Sequence, residues 1–141
     1  MAQIHALTPE GRLPTAAVAH VQELVQEATY RSGQRIVPLE NGATGTAYLQ
    51  RNGAEVELYV RDLVVPGDGR ATFLTIPQGF RCNRLPLYGL LGRTGNRALA
   101  TFDIGPGHTL SQGTSHTNGM YMHFKWATND AIPTTLPGTP A

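Results

Sequence analysis

The sequence predicts an all-β fold, an antiparallel β-sandwich similar to a jelly roll, preceded by one short N-terminal α-helix. Three observations support this prediction. A helix-type spacing of apolar residues is confined to residues 15–31. From residue 33 onward, runs of about six residues alternate with turns, without intervening helices. The 141 residues include 16 Gly and 10 Pro, which favour turns and therefore short strands.

The helix is predicted to begin at Thr15, whose hydroxyl can accept a hydrogen bond from the first turn, or earlier at Thr8, with Pro9 in the first helical position. It is predicted to end before Ser32-Gly33. Its apolar residues lie three or four positions apart and form one seam. Two arrangements would bury this seam: the helix packs on its own domain, or it forms a short bundle between identical chains. A seam this short needs the following domain to hold the chains together. The seam consists of Val18, Val21, Leu24, Val25 and Ala28.

This pattern divides the chain into two parts. Residues 1–33 form a leader and helix for attachment or oligomerisation, and residues 34–141 form a β-sandwich head with a proline-rich C-terminal tail. Pro133, Pro137 and Pro140 exclude an interior strand and predict an extended tail. Such a tail becomes ordered by lying along a neighbour, in the same chain or another, and otherwise frays.

The strands of the head are predicted from apolar alternation and from turns. Asn52-Gly53 separates the first two runs and predicts a hairpin in which both turn residues have positive φ. In the returning run Val56, Leu58 and Val60 alternate with polar residues, so one face is buried and the other meets water. The predicted strands are Thr46–Arg51, Glu55–Val65, Ala71–Ile76, Leu85–Leu91, Leu99–Ile104, His108–Gln112 and Gly119–Trp126.

The composition argues against several classes of function. Charged residues make up 15% of the chain and the net charge is +1, whereas a nucleic-acid-binding protein needs a concentrated basic stripe. Cys82 is the single cysteine, so no intrachain disulfide can form. The sequence has neither a signal peptide nor an apolar run of about 18 residues, so we expect no membrane insertion.

Catalytic and metal-binding motifs are absent from the sequence. The five histidines do not have the spacing of a metal site, and no nucleophile elbow or phosphate-binding loop occurs. Glu55 and Glu57 share a strand face, as ordinary solubilising residues do. We therefore expect a protein that is not an enzyme and takes no cofactor, and a polysaccharide hydrolase is the weakest of the alternatives.

Polar residues on one predicted strand and in loops are candidates for ligand contact. His123 shares a strand face with Tyr121 and Lys125, which indicates either a ligand-binding patch or a solvated face. Tyr48 and Tyr59 lie near polar residues, a combination found both in sugar sites and in sandwich packing. The candidate ligand-binding residues are Arg93, Asn96, His116, Asn118, Tyr121 and His123.

Two stretches carry a resemblance to a known class of proteins. One is Leu74–Arg81, a strand followed by Pro-Gln-Gly-Phe-Arg, and the other is the C-terminal segment Trp126–Ala141. Both resemble the C-terminal head domains of tail-fibre and minor tail proteins of bacteriophages, notably those that infect actinobacteria. The order of a helical piece, Leu39-Glu40-Asn41-Gly42 and an Asn-Gly hairpin is similar too, and the resemblance covers about residues 29–141.

The resemblance implies a virion protein that forms a homotrimer and binds a host cell-surface glycan during adsorption, together with other phage structural proteins. Low net charge fits a neutral glycan better than nucleic acid. The chain lacks the long stalk usual in that class, so it fits a small tail-tip or baseplate subunit. A capsid decoration protein, which cements the phage head, is the alternative.

Overall fold

The computed structural model describes residues 15–67, 71–92, 99–105, 107–112 and 119–141. In these residues one helix is followed by strands that are short or of moderate length. The elements are α1 (Thr15–Thr29), β1 (Arg35–Val37), β2 (Thr44–Asn52), β3 (Glu55–Val64), β4 (Thr72–Thr75), β5 (Leu87–Gly92), β6 (Leu99–Ile104), β7 (Thr109–Gln112), β8 (Met120–Ala127) and β9 (Thr139–Pro140).

The strands form two antiparallel sheets. The first sheet has the order β9-β1-β2-β3-β8, and the second has the order β4-β7-β6-β5. The two sheets meet where Gly92 of β5 pairs with Tyr121 of β8. The predicted helix followed by an all-β, sandwich-like fold is therefore confirmed.

The core lies between the inner faces of these sheets. In the first sheet Val56 and Val60 on β3 lie opposite Trp126 and Met122 on β8, and all four side chains are buried. The second sheet contributes fully buried residues, among them Phe73, Phe102, Ile104 and Leu110. The alternation read from the sequence of β3 thus sets which face of the first sheet is apolar.

The turn of the β2–β3 hairpin differs from the prediction. Asn52 and Glu55 are paired, so the residues that turn the β2–β3 hairpin are Gly53 and Ala54, and of the two only Gly53 has positive φ (60°). The prediction that Asn52 and Gly53 are the turn residues and both have positive φ is therefore wrong. The turn lies one residue later, and only its first residue has positive φ. A glycine in the first turn position serves the hairpin because it alone must enter the left-handed region.

Asn41-Gly42 forms the turn with two positive φ angles. Their φ values are 55° and 76°, and the amide of Ala43 donates to the carbonyl of Glu40 at 3.0 Å. This turn leads the chain from β1 to β2, and the Asn41 side chain donates to the carbonyl of Thr72 on β4 at 2.6 Å. The turn therefore ties the two sheets together at this end.

The β2–β3 ladder contains a bulge at Gly45 and Asp62. Asp62 has a φ of 54°, and the register with β2 shifts between Thr44 and Thr46. A Cβ on Gly45 would lie 2.7 Å from the carbonyl oxygen of Arg61, so a larger residue at this position would collide with the backbone of β3. The bulge also shifts the register with β8.

The two stretches that carry the resemblance pack against each other. Asp130, in the C-terminal segment, accepts hydrogen bonds from the amides of Gly79 and Arg81 at 2.9 and 3.0 Å. It also forms an ion pair with the Arg81 guanidinium at 2.9 Å. Phe80 between them is fully buried, and its carbonyl accepts a hydrogen bond from the indole of Trp126. Asp130 and Trp126 thus bind the Pro-Gln-Gly-Phe-Arg motif to the C-terminal segment.

Arg51 is buried on the inner face of β2, where an apolar residue would be expected from the alternation. Its guanidinium donates to the carbonyls of Gly53, Gly79 and Ala131 at 2.7 to 3.1 Å. The ring of Tyr30 lies 5.7 Å from the guanidinium carbon. One side chain thus joins the hairpin turn, the Pro-Gln-Gly-Phe-Arg motif and the C-terminal segment.

The C-terminal tail lies along its own chain. Thr139 and Pro140 pair with Ile36 and Arg35 of β1, and the amide of Ala141 donates to the carbonyl of Gln34. The Arg35 guanidinium donates to the carbonyl of Pro137 at 2.9 Å. Of the alternatives that the prolines left open, the structure shows an edge strand bound within the same chain.

We expect Gly138→Ala to release this tail. Gly138 has a φ of 59°, and an added Cβ would overlap the backbone of Ile36. Strain alone at such a position costs about 1 kcal/mol, and the overlap adds to it, so we expect roughly 2 kcal/mol or more of destabilisation. Denaturant unfolding and hydrogen exchange of the Ala141 amide measure the effect.

Gly33→Ala is the matched control for this prediction. Gly33 has a φ of 69° but no atom within 4 Å of an added Cβ, so it carries the strain without the overlap. Equal destabilisation by the two substitutions would contradict the role assigned to the contact with Ile36.

The ionisation of Asp130 should make the free energy of unfolding depend on pH. Burial raises the pKa of Asp130, but the hydrogen bonds and charge of Arg81 and the Gly79 amide outweigh it and hold the pKa below its ordinary value. The ionised form therefore stabilises the fold above the ordinary pKa of an aspartate, about 4, and this contribution is lost as the pH falls below it. We expect the stability difference between wild type and Asp130→Asn to shrink as the pH falls below about 4 in urea-unfolding measurements. A difference that stays constant down to pH 2 would contradict this.

Candidate functional site

The structure describes two of the six candidate ligand-binding residues. Arg93, Asn96, His116 and Asn118 lie outside the described residues. Tyr121 and His123 project from β8 on the outer face of the first sheet, since the residues between and beside them, Met120 and Met122, are buried. The structure thus supports the predicted face of His123 and says nothing about the four loop residues.

Antiparallel register brings further side chains of this outer face together. Tyr59 on β3 lies opposite His123 on β8 and opposite Tyr48 on β2. Ile36 on β1 continues this row, because it lies opposite Tyr48. The next row along the strands joins Gln50, Glu57 and Lys125. We call the two rows the outer-face platform, and its members are Tyr48, Gln50, Glu57, Tyr59, His123 and Lys125.

The aromatic row of the platform has a defined geometry. The rings of Tyr48 and Tyr59 are nearly parallel, at 20°, with their centroids 6.1 Å apart. The His123 imidazole stands edge-on to Tyr59 at 6.0 Å, with an angle of 87° between the planes. Both tyrosines are half-buried and His123 is exposed. Cross-strand pairs of this kind stabilise the sheet and hold the rings in place.

The polar row is centred on Glu57. Its carboxylate accepts a hydrogen bond from the Gln50 side chain at 3.2 Å, and the His123 imidazole and the Lys125 ammonium each lie 3.4 Å from it. Lys125 also pairs with Glu55 at 3.5 Å, and the charges of Glu55 and Glu57 raise the pKa of Lys125 above its ordinary value. The ammonium therefore stays protonated, and its charge is balanced by two carboxylates.

Asp62 and Tyr121 border the platform at the bulge. The phenol of Tyr121 donates to the Asp62 carboxylate at 2.6 Å, and this bond raises the pKa of Tyr121. Arg61 lies 3.7 Å from the same carboxylate. A bulge that holds Asp62 at positive φ thus turns its carboxylate towards the ring beside the platform.

This arrangement is suited to contact with a ligand on an open surface. Ring faces and ring edges supply apolar area, and fixed carboxylate, amide and imidazole groups supply hydrogen bonds. Glu57 is engaged by three neighbours.

In the described ranges no group of three or more His, Cys, Asp or Glu side chains is arranged to hold a metal ion. α1, which is the helix that the structure describes, is too short to cross a membrane.

The seam of α1 is a second candidate surface. Val18, Val21, Leu24 and Val25 are between 43% and 54% exposed, and Ala28 is exposed as well. A cleft of about 410 Å³ separates the C-terminal half of the helix from residues 128–130, and Leu24 and Ala28 line it. The helix therefore leaves its predicted apolar seam uncovered by the described part of its own chain.

Two features of the platform differ from the sequence predictions. Glu57 is predicted to be a solubilising residue but accepts a hydrogen bond from Gln50. Tyr48 and Tyr59 are predicted only to lie near polar residues, but they lie opposite each other. A two-residue turn fixes which residues lie opposite each other, but the predicted turn at Asn52-Gly53 would set Tyr48 opposite Glu57, whereas the observed turn at Gly53-Ala54 sets it opposite Tyr59. Asp62 could not be found in this way, because the bulge shifts the register at that point.

Comparisons with known proteins address the fold. No protein-family model and no curated protein sequence matches the chain. The structure is similar to the crystal structure of the receptor binding protein (gp15) of Listeria phage PSA, with a TM-score of 0.54 and 13% sequence identity. The similarity covers 87% of this chain and 82% of that chain. The chain therefore has a fold that also occurs in a phage receptor binding protein.

Proposed function

We propose that this chain is a structural protein of a bacteriophage tail, which binds the host surface during adsorption. The observation that carries the proposal is the fold, shared over 87% of the chain with a phage receptor binding protein. The motifs that resemble tail-fibre heads lie in the same domain and contact each other through Asp130. The actinobacterial host type rests on those motifs alone and stays a prediction.

In this proposal the protein binds its receptor and does not catalyse a reaction. The receptor is a glycan of the host cell surface, and the protein is part of the virion. The platform supports adhesion because its polar groups are spread over an open sheet face, with three neighbours engaging Glu57. A hydrolase instead needs two carboxyl groups that converge on one bond.

The proposal includes a homotrimer held in part by α1. The uncovered seam of Val18, Val21, Leu24 and Val25 supports it, because apolar side chains on one helix face gain stability when a second helix covers them. Residues 1–33 would then form the attachment part and residues 34–141 the head. Three heads on one bundle bind a repeating surface with far higher avidity than one head.

Purified protein added to host cells is expected to block adsorption of the phage that encodes it. The free protein occupies the same receptors, so the fraction of adsorbed phage should fall with protein concentration. Plaque counts of unadsorbed phage measure this, and bovine serum albumin at equal concentration is the control. Unchanged adsorption at saturating protein, with the protein found on purified phage heads, would contradict the proposal and favour a capsid decoration protein.

Light scattering tests the trimer. We expect a solution mass three times the 15.2 kDa of one chain. Val21→Asp combined with Val25→Asp places two charges in the seam and should give a monomer. The variant should then need roughly 100-fold more protein to block adsorption, because avidity is lost.

Gln22→Asp combined with Gln26→Asp is the matched control for the seam. It adds the same two charges to exposed positions of α1 outside the seam and should remain trimeric. A wild-type monomer, or a seam variant that stays trimeric, would contradict the role of α1.

A further inference from the structure

The outer-face platform combines aromatic rings with ordered polar groups on one face of the first sheet. Tyr48 and Tyr59 present nearly parallel rings on adjacent strands. The neighbouring row holds Gln50 and Glu57 in a fixed hydrogen bond, next to the exposed imidazole of His123. Apolar ring surface thus lies one step along the strand from ordered donors and acceptors, about 7 Å away.

The chemistry that matches such a surface is that of a pyranose. One side of a pyranose ring is an apolar array of C–H groups, which packs on an aromatic ring. Its hydroxyls extend from the ring edge and both donate and accept hydrogen bonds. Glu57 offers acceptor oxygens, and Gln50 offers its second amide N–H and its carbonyl oxygen. The ring nitrogen of His123 that does not face Glu57 offers one further polar group.

The charges of this face favour an uncharged sugar over an anionic one. The cations are balanced, since Lys125 pairs with Glu55 and Glu57 and Arg61 lies beside Asp62. The side chains of Glu55 and Asp62 are 57% and 59% exposed. A phosphate, sulfate or uronate group would meet exposed carboxylates and find each of these two cations already paired, so an anionic polymer is disfavoured.

We propose that the outer-face platform binds an uncharged hexopyranose unit of a surface polysaccharide, with the sugar ring on Tyr48 and Tyr59 and its hydroxyls on Gln50, Glu57 and His123. This inference rests on the receptor-binding function proposed above and adds the surface and the chemical class of the ligand. The proposed ligand of the platform is a neutral saccharide, and the tests below distinguish it from a protein receptor.

NMR titration of the full chain tests the ligand class. The probes are the methyl glycosides of glucose, galactose, mannose and N-acetylglucosamine, followed by dextran and dextran sulfate. We expect at least one methyl glycoside to shift the aromatic resonances of Tyr48 and Tyr59, and we expect dextran sulfate to leave them unchanged. No shift with any glycoside, or a response to dextran sulfate alone, would overturn the proposal.

Substitutions locate the binding surface. Tyr59→Ala should weaken glycoside binding about tenfold or more. Glu57→Gln, which keeps the size of the side chain, should weaken binding as well. It replaces Tyr59→Ala as the test if circular dichroism shows that Tyr59→Ala is unfolded. Tyr88→Ala is the matched control, because Tyr88 is a 72% exposed tyrosine on β5 of the other sheet and should bind as wild type. Equal binding by all variants would overturn the assignment to this face.

Adsorption assays separate this inference from the proposed function. If wild type and folded Tyr59→Ala block adsorption equally, receptor binding holds and the platform is not its site. If the protein does not block adsorption and no glycoside binds to it, both proposals fail. Glycoside binding without a block of adsorption would leave the platform as a sugar site and reject the role in adsorption.

Discussion

β3 lies between β2 and β8, and its register with both strands places every side chain of the first sheet on one face or the other. A shift by one residue would turn Val56, Leu58 and Val60 to water and Tyr59 into the core. The register is held at one end by the Gly53 turn and at the other by the Gly45–Asp62 bulge. The apolar core and the outer-face platform therefore arise from the same constraint.

Two charged side chains join parts of the chain that are distant in sequence. Asp130 holds the Gly79–Arg81 segment, and Arg51 holds the carbonyls of Gly53, Gly79 and Ala131. A buried charge is tolerated when hydrogen bonds replace those it loses from water. With no disulfide available to a chain that has one cysteine, these bonds fix the C-terminal segment against the hairpin and keep its tail next to β1.

The sequence was sufficient to predict the helix, the all-β class and the polar face of β8, since these depend on periodicity and on turn residues that act locally. It was insufficient for the turn position at Gly53, because Asn-Gly can turn the chain in more than one frame. β1 and β9 are too short to show a period of two. The partners of Asp130 and Arg51 are distant in sequence, and that is why no local pattern revealed them.

The order of strands ends in β4 on one side and β9 on the other. β9 has two residues, one of them Pro140, and the turn at Glu40 and Asn41 donates to carbonyls of Thr72 and Phe73 on β4. At β4 and β9 the sheets thus offer a second copy few free backbone groups, which discourages edge-to-edge pairing between copies at these two strands.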